Sequence, residues 1–244
     1  AEQILELGKK LTDKKLKRIL SKTPRVEKIV VKDAKLRTFI ADDHSRDEMV
    51  SHVYDVTYGI VRNDVDTLVL LDDSIVRGTT LRDSIIKIVS RLRPKKIVIV
   101  SSAPQIRFPD CYGIDMSRMR DFVAFRALVA LLKESGREHL MEEAYERAKA
   151  QEKLAPEKIQ NQLVPLYNLF KYEDVSRKIG ELLTPPDIEP EVEIIYQTVE
   201  GLKKATAGND GDWYFTGNYP TPGGNRVVNR AFIYYMEGKN IRAY

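Results

Sequence analysis

The chain has 244 residues, 31% of them charged and 43% hydrophobic, with a net charge of only +4 because 40 basic residues face 36 acidic ones. That composition excludes a disordered or collagen-like chain and does not mark a nucleic-acid binder. Cys111 is the only cysteine, which excludes an internal disulfide and a four-cysteine zinc or iron–sulfur site; with three histidines, a tetrahedral transition-metal site is not expected either.

The opening segment AEQILELGKK is amphipathic and carries acids, unlike a signal or transit peptide, and no stretch approaches the ~20 apolar residues of a membrane span. A soluble cytoplasmic protein is the expectation, with neither nucleic acid nor membrane among its partners. Ile4, Leu5, Leu7 and Leu11, then Leu16, Ile19 and Leu20, form helical stripes separated by an N-cap signal at Thr12-Asp13, and Pro24 ends the pattern. Residues 27–32 and 36–40 read as short strands, and the polar ADDHSRDEM that follows reads as an exposed loop.

Residues 67–71, TLVLL, form a continuous apolar run, the pattern of a strand buried on both faces of a parallel sheet. A helical stretch follows, with Leu81, Ile85, Ile86, Ile88, Val89 and Leu92 apolar; Pro94 closes it, and 97–100, IVIV, is the next strand. Strand, loop, helix and strand within roughly 35 residues make a βαβ unit, hence an open, mostly parallel α/β sheet with a ligand at the carboxyl ends of its strands. Further helices are predicted at 118–134, across the charge-rich stretch 137–160, and at 172–183. A strand is predicted at 191–196, with Thr198 capping a short helix after it. Residues 207–225, rich in Gly, Pro and Asn, predict an ordered loop or tail.

The chemistry concentrates in residues 68–80, LVLLDDSIVRGTT. Asp72 and Asp73 end a buried strand, where two bare carboxylates repel each other and lose hydration. A vicinal diol or a hard cation such as magnesium would relieve that cost. Ser74, Gly78, Thr79 and Thr80 then offer hydroxyls and backbone N–H groups at the start of a helix, whose dipole favours an anion. Gly78 allows close approach of the backbone. A diol clamp beside a phosphate cradle suits a sugar phosphate. The bland alternative is a strand end followed by a capped helix. The patterns GxxxxGK[ST] and GxGxxG, which would have indicated an ATPase or a dinucleotide site, do not occur.

The string LVLLDDSIVRGTT resembles the phosphoribosyl pyrophosphate (PRPP) signature of type I phosphoribosyltransferases, and in the form DDSIVRGTT that of the glutamine PRPP amidotransferase family. RTFI at 37–40, SAPQIRFP at 102–109 with YGIDM at 112–116, and FTGNYPT at 215–221 resemble further segments of that family in the same order. Together the resemblance spans roughly 25–135 and 190–225. It implies a type I phosphoribosyltransferase sheet with an added helical C-terminal region. It also implies transfer of ammonia, derived from glutamine, to PRPP, giving 5-phosphoribosylamine and pyrophosphate in the first step of purine synthesis. By the same resemblance Asp72, Asp73, Ser74, Val76, Arg77, Gly78, Thr79 and Thr80 bind PRPP, Asp72 and Asp73 hold Mg2+, and Arg37 is catalytic, with the loop around 37–49 closing over the site. Implied partners are a glutaminase domain, purine nucleotides as inhibitors, and further copies of the chain in a homo-oligomer.

Departures from the family pattern shape the remaining expectations. Ala1 stands where the family's complete enzyme begins with a nucleophilic cysteine, so the chain reads as a fragment without the glutaminase domain and without the first part of the transferase domain. No iron–sulfur cluster is expected. Residues 1–136 are assigned to the transferase core, 137–190 to a helical insertion, and 191–244 to a C-terminal strand–helix and tail packing on the core. Lys32-Asp-Ala-Lys-Leu-Arg37 does not match the family's loop in register. Tyr112-Gly-Ile-Asp115 would line the sugar-phosphate and base side of the site, or form a turn capped by Asp115. Cys111 reads as a packed residue, and His44, His52 and His139 as exposed, His44 within reach of pyrophosphate. Another PRPP-dependent transferase, or a regulator that senses PRPP or nucleotides, is the alternative function.

Overall fold

The computed structural model describes residues 8, 12–22, 26–32, 54–111, 116–208 and 211–243. The calls on Ile4 to Leu11, on Arg37 with its strand 36–40 and loop, on His44 and His52, and on 112–115 lie outside these residues.

Helix α1, Asp13–Leu20, starts where Thr12 accepts from Lys15 N, as the cap signal predicts; none of its residues is buried. Strands β1, Val30–Lys32, and β2, Tyr54–Val56, pair antiparallel. Strand β3, Thr67–Asp72, leads through the DDSIVRG loop into a π-helical turn, Leu81–Ile85, which continues as α2, Ile86–Ser90. Strand β4, Lys96–Ser101, runs parallel to β3. Helix α3, Val123–Glu134, follows a 3₁₀ turn at Met119–Asp121. Then come α4, His139–Ala150, α5, Val164–Tyr167, and α6, Tyr172–Leu183. Strand β5, Glu191–Tyr196, joins the far side of β4, again parallel, giving the order β3-β4-β5. Thr198 caps α7, Val199–Ala205, by accepting from Gly201 N. The chain ends with α8, Trp213–Thr216, and α9, Pro222–Met236.

The expected parallel α/β arrangement is present, with two corrections of detail. Burial on both faces of the TLVLL strand is not seen among the described residues. Leu68 and Leu70 face the helices, whereas Val69 and Leu71 are 59% and 83% exposed. The reason is position: β3 is an edge of the three described strands, and helices α2, α3 and α6 cover one face only. The Gly/Pro/Asn-rich stretch, read as loop or tail, also contains α8 and the first turn of α9. Pro222 fits the first turn of a helix, where its missing N–H costs nothing.

Helix α3 is apolar nearly all round because it is buried on two sides. Val123, Ala124, Ala127 and Leu131 pack under the sheet with Ile97, Ile99 and Ile179. Phe122, Phe125 and Leu128 turn towards a second core with Phe108, Tyr167 and Phe232, where Phe125 and Phe232 meet edge to face at 6.2 Å. On α6, the nearly buried Lys178 reaches Glu134 of α3 at 2.8 Å and Glu181 of its own helix, so its charge is paired. Helix α4, charge-rich in sequence, buries Met141, Ala144 and Ala148 and leaves its other face, His139 included, exposed.

Candidate sugar-phosphate site

The carboxyl ends of β3 and β4 are tied together at the two acids. Ser102 N donates to Asp72 O at 2.9 Å and Ala103 N to Asp73 O at 3.0 Å, while the Ser102 hydroxyl reaches both carbonyls. The backbone of the acidic pair is therefore fixed by β4, leaving its side chains to other partners. The Asp72 carboxylate accepts from Asp73 N at 3.1 Å, and Asp73 accepts from the Ser74 hydroxyl at 3.3 Å. Burial raises the Asp72 carboxyl above its ordinary value; the Asp73 N–H opposes this and the Asp73 charge adds to it. A carboxylate so placed gains from a cation or hydroxyl donor.

Beyond the acids the loop is pinned by two apolar anchors. Ile75 is 2% exposed in the core under the sheet, and Val76 packs against the other core. Between these anchors and the helix, Arg77, Thr79 and Thr80 are exposed and Gly78 has φ +72°. Thr80 makes no capping bond, so the helix start does not consume its hydroxyl. Among the described residues no acceptor takes the N–H of Arg77 or Gly78. An open cavity of about 530 Å³ is lined by Asp72, Ser74, Val76, Arg77, Gly78, Thr79 and Thr80, with Ile75, Leu81 and Met116 completing it. Asp73 adjoins it. The structure thus collects the sequence-selected residues at one place, apart from Arg37, which lies outside the described residues.

Three neighbours of the site were not legible in the sequence. Leu183, at the end of α6, backs Gly78. Arg126 of α3 donates to Arg77 O at 2.7 Å. Tyr196 shares a row with Asp72 and Ser101 across the three strands, and its buried hydroxyl has no hydrogen-bond partner among the described residues. Burial, with Tyr172 and Asp72 adding, raises the Tyr196 phenol. Only the end position of Tyr196 in a strand carried any signal; Leu183 and Arg126 sit in ordinary helical patterns.

The segments SAPQIRFP and FTGNYPT, far apart in sequence, form one unit. Tyr214 O accepts from Arg107 N at 2.8 Å and Phe108 N at 3.1 Å, Tyr214 Oη donates to Asp110 at 3.1 Å, and Tyr219 Oη donates to Pro109 O. Gly217 ends α8 in the left-handed conformation, φ +79°. Gln105 extends the clamp: its amide donates to Tyr172 O and the Ser176 hydroxyl, and its oxygen accepts from Arg107, whose guanidinium lies over the rings of Tyr167 and Tyr172.

A larger groove of about 1050 Å³ runs along β5 and α6. Lys96 within it is paired with Glu191 at 2.8 Å and Glu193 at 2.7 Å, so its main charges satisfy one another. The loop site, by contrast, keeps unspent donors beside a carboxyl pair. Among the described residues no group of three or more His, Cys, Asp or Glu side chains could hold a metal ion, and no helix is long and apolar enough to cross a membrane.

Parallel strands, an acidic pair at a strand end and an amide-rich loop before a helix define an α/β protein with a candidate anion site at the carboxyl ends of its strands. The comparisons narrow this. The chain is similar to the amidophosphoribosyltransferase of Escherichia coli K12, 47% identical over 57 residues, and to that of Schizosaccharomyces pombe, 40% identical over 58 residues. The Staphylococcus aureus Mu50 enzyme of the same name is 37% identical over 71 residues. These matches cover 23%, 24% and 28% of this chain and 11%, 11% and 14% of the relatives, so the chain matches only a small part of each. The resemblance seen in the motifs is thereby borne out. No family model matches. A solved glutamine PRPP amidotransferase from B. subtilis, complexed with ADP and GMP, aligns with a TM-score of 0.42 and 24% identity, covering 80% of this chain and 32% of that one.

Proposed function

We propose that the chain is the PRPP-binding, catalytic part of an amidophosphoribosyltransferase. The observation that carries this reading is the single cavity that brings Asp72 to the open loop of Ser74, Val76, Arg77, Gly78, Thr79 and Thr80. The similarity to amidophosphoribosyltransferases supports it.

In this reading the loop N–H groups and the hydroxyls of Ser74, Thr79 and Thr80 hold the 5′-phosphate, and Asp72 and Asp73 face the ribose hydroxyls. The nitrogen lone pair of ammonia forms the new bond at C1 of the sugar while the C1–oxygen bond breaks. Pyrophosphate departs with that bonding pair, and the amine formed sheds a proton to solvent. Because the leaving group is a good one, the chain's task is positioning and water exclusion rather than proton transfer. Two carboxylates together with ligand oxygens form a donor set suited to Mg2+, so Asp72 and Asp73 would hold that ion. It would supply charge neutralisation at the pyrophosphate. Arg37 and the closing loop belong to the proposal through the resemblance, as do a glutaminase domain supplying ammonia, inhibition by purine nucleotides, a homo-oligomeric assembly and a cytoplasmic location. The division into a core of 1–136, an insertion of 137–190 and a C-terminal part of 191–244 is part of the same reading.

The test is a calorimetric titration with PRPP and Mg2+, followed by an assay of ammonia-dependent pyrophosphate release. Saturable binding with release dependent on ammonia is expected. A chain that binds neither PRPP nor ribose 5-phosphate sinks the reading, and binding with no turnover leaves a sensor in place of a transferase.

A further inference from the structure

The loop that carries the exposed amides is held from behind by helix α3. Val123 N, at the first turn of α3, donates to Val76 O at 2.8 Å. One turn later the Arg126 guanidinium donates through Nη2 to Arg77 O at 2.7 Å. Two successive carbonyls are thus drawn to the same helix. In a trans peptide the C=O of one residue and the N–H of the next point in opposite directions, and the described chain has no cis bond. Drawing Val76 O and Arg77 O towards α3 therefore turns Arg77 N–H and Gly78 N–H away from it. Away from α3 lies the cavity: Arg77 and Gly78 line it, whereas Val123 and Arg126 do not. Gly78, at φ +72°, supplies the left-handed half of the backbone pair that makes such successive amides converge on an anion.

We infer that Arg126 is a positioning residue for the phosphate of the sugar-phosphate ligand: it fixes the Arg77–Gly78 peptide plane so that both amides face the cavity. The inference rests on the proposed sugar-phosphate reading of this site. Val123 cannot do the work alone, because its bond sets only the plane before Arg77. The Arg77 side chain is itself drawn towards the start of α3, 3.6 Å from Asp121, so the loop has its charged side chain and two carbonyls on one support. The geometry suits orientation rather than direct contact. Arg126 has its Nε buried with no partner among the described residues, and burial and the nearby Arg82 push its guanidinium down. One of its terminal nitrogens is thus committed to the Arg77 carbonyl.

The experiment compares the parent with Arg126→Met and Arg126→Lys. Methionine keeps the bulk without a donor, and lysine keeps a donor for the carbonyl. Ribose 5-phosphate affinity is measured calorimetrically per folded molecule, and the amide resonances of Arg77 and Gly78 are followed through the same titration. The expected result is about a tenfold loss of affinity in Arg126→Met, as for loss of about one well-made hydrogen bond's worth of preorganisation. The Gly78 amide response is expected to collapse with it, and lysine to restore affinity to within about threefold of the parent. Parent-like affinity and a parent-like Gly78 response in Arg126→Met overturn the inference, as does equal loss in both variants. A parent that ignores ribose 5-phosphate overturns the reading of the site itself, a result separate from any difference among the variants.

Discussion

A Cβ placed on Gly78 would stand 2.5 Å from Cδ2 and 2.7 Å from Cδ1 of Leu183, which is 1% exposed at the end of α6. Gly78 therefore answers to two demands at once: the left-handed φ of +72° that shapes the amide loop, and the close approach of that loop to the core.

Replacing Gly78 by alanine is expected to destabilise the protein by about 1–3 kcal/mol, from backbone strain and overpacking. Urea unfolding of Gly78→Ala, Leu183→Ala and the double variant checks the cause. The double variant should be more stable than the sum of single losses predicts, because truncating Leu183 opens the space the new methyl needs. Strict additivity would show that the contact is not the source of the cost.

Asp72→Asn is expected to leave stability unchanged or raise it slightly at neutral pH while weakening ribose-phosphate and Mg2+ binding. The folded-state carboxyl lies above its ordinary value of 3.8. In the window between the ordinary and the raised value the folded chain binds more protons than the unfolded one, so the stability contributed by Asp72 falls as pH rises through it. Thermal unfolding across that window should show the melting temperature of Asp72→Asn gaining on that of the parent as pH rises, since only the parent loses the Asp72 contribution. A variant that is clearly less stable than the parent at neutral pH contradicts this.

Glu237, just past α9, accepts from Lys149 of α4 at 2.7 Å and from Tyr145 at 3.1 Å and pairs with Lys239 at 2.6 Å, bonds that hold its carboxyl down to about 2. For a lowered carboxyl the stabilisation is present above the ordinary value of 4.5 and fades as pH falls towards 2. Glu237→Gln should therefore melt below the parent at neutral pH, the gap narrowing on acidification through that window and shrinking in high salt. A gap independent of both pH and salt would assign the loss to packing.

Tyr219→Phe removes the hydroxyl that donates to Pro109 O. A loss of about 1 kcal/mol is expected, since a partly buried carbonyl is left unpaired. Trp213, the only tryptophan, lies six residues earlier on the same tail, so its fluorescence reports whether the tail loosens. An unshifted emission and an unshifted melting curve would show that the two motifs hold together without this bond. PRPP binding by the same variant separates a supporting role of the clamp from a direct one.

The elements that sequence patterning placed well are those whose signals are local. Thr12 and Thr198 cap the helices their side chains announce, and the strands around 67–72, 96–101 and 191–196 follow from short apolar or alternating runs. The stretch after residue 207 misled because its Gly, Pro and Asn content favours turns, whereas Pro222 and Gly224 serve the start of a helix. A Cβ on Gly224 would lie 2.2 Å from the Tyr219 ring, a close approach visible only once the chain has doubled back. The exposure of Val69 and Leu71 was equally illegible: an apolar run reports that a strand is apolar, and its neighbours decide how many of its faces are covered.

The sequence by itself determined the chemical character of the site. Asp72, Asp73, Ser74, Gly78, Thr79 and Thr80 lie within one short segment, 72–80, so a strand–loop–helix reading was enough to bring their donors and acceptors together. Only the tertiary structure decided what orients that loop. Arg126 meets the Arg77 carbonyl across 49 positions, Leu183 meets Gly78 from another helix, and the clamp between Pro109 and Tyr219 closes across 110. The physical reason is that peptide-plane orientation and close packing depend on which surfaces meet, and residues distant in sequence announce such meetings through no local period.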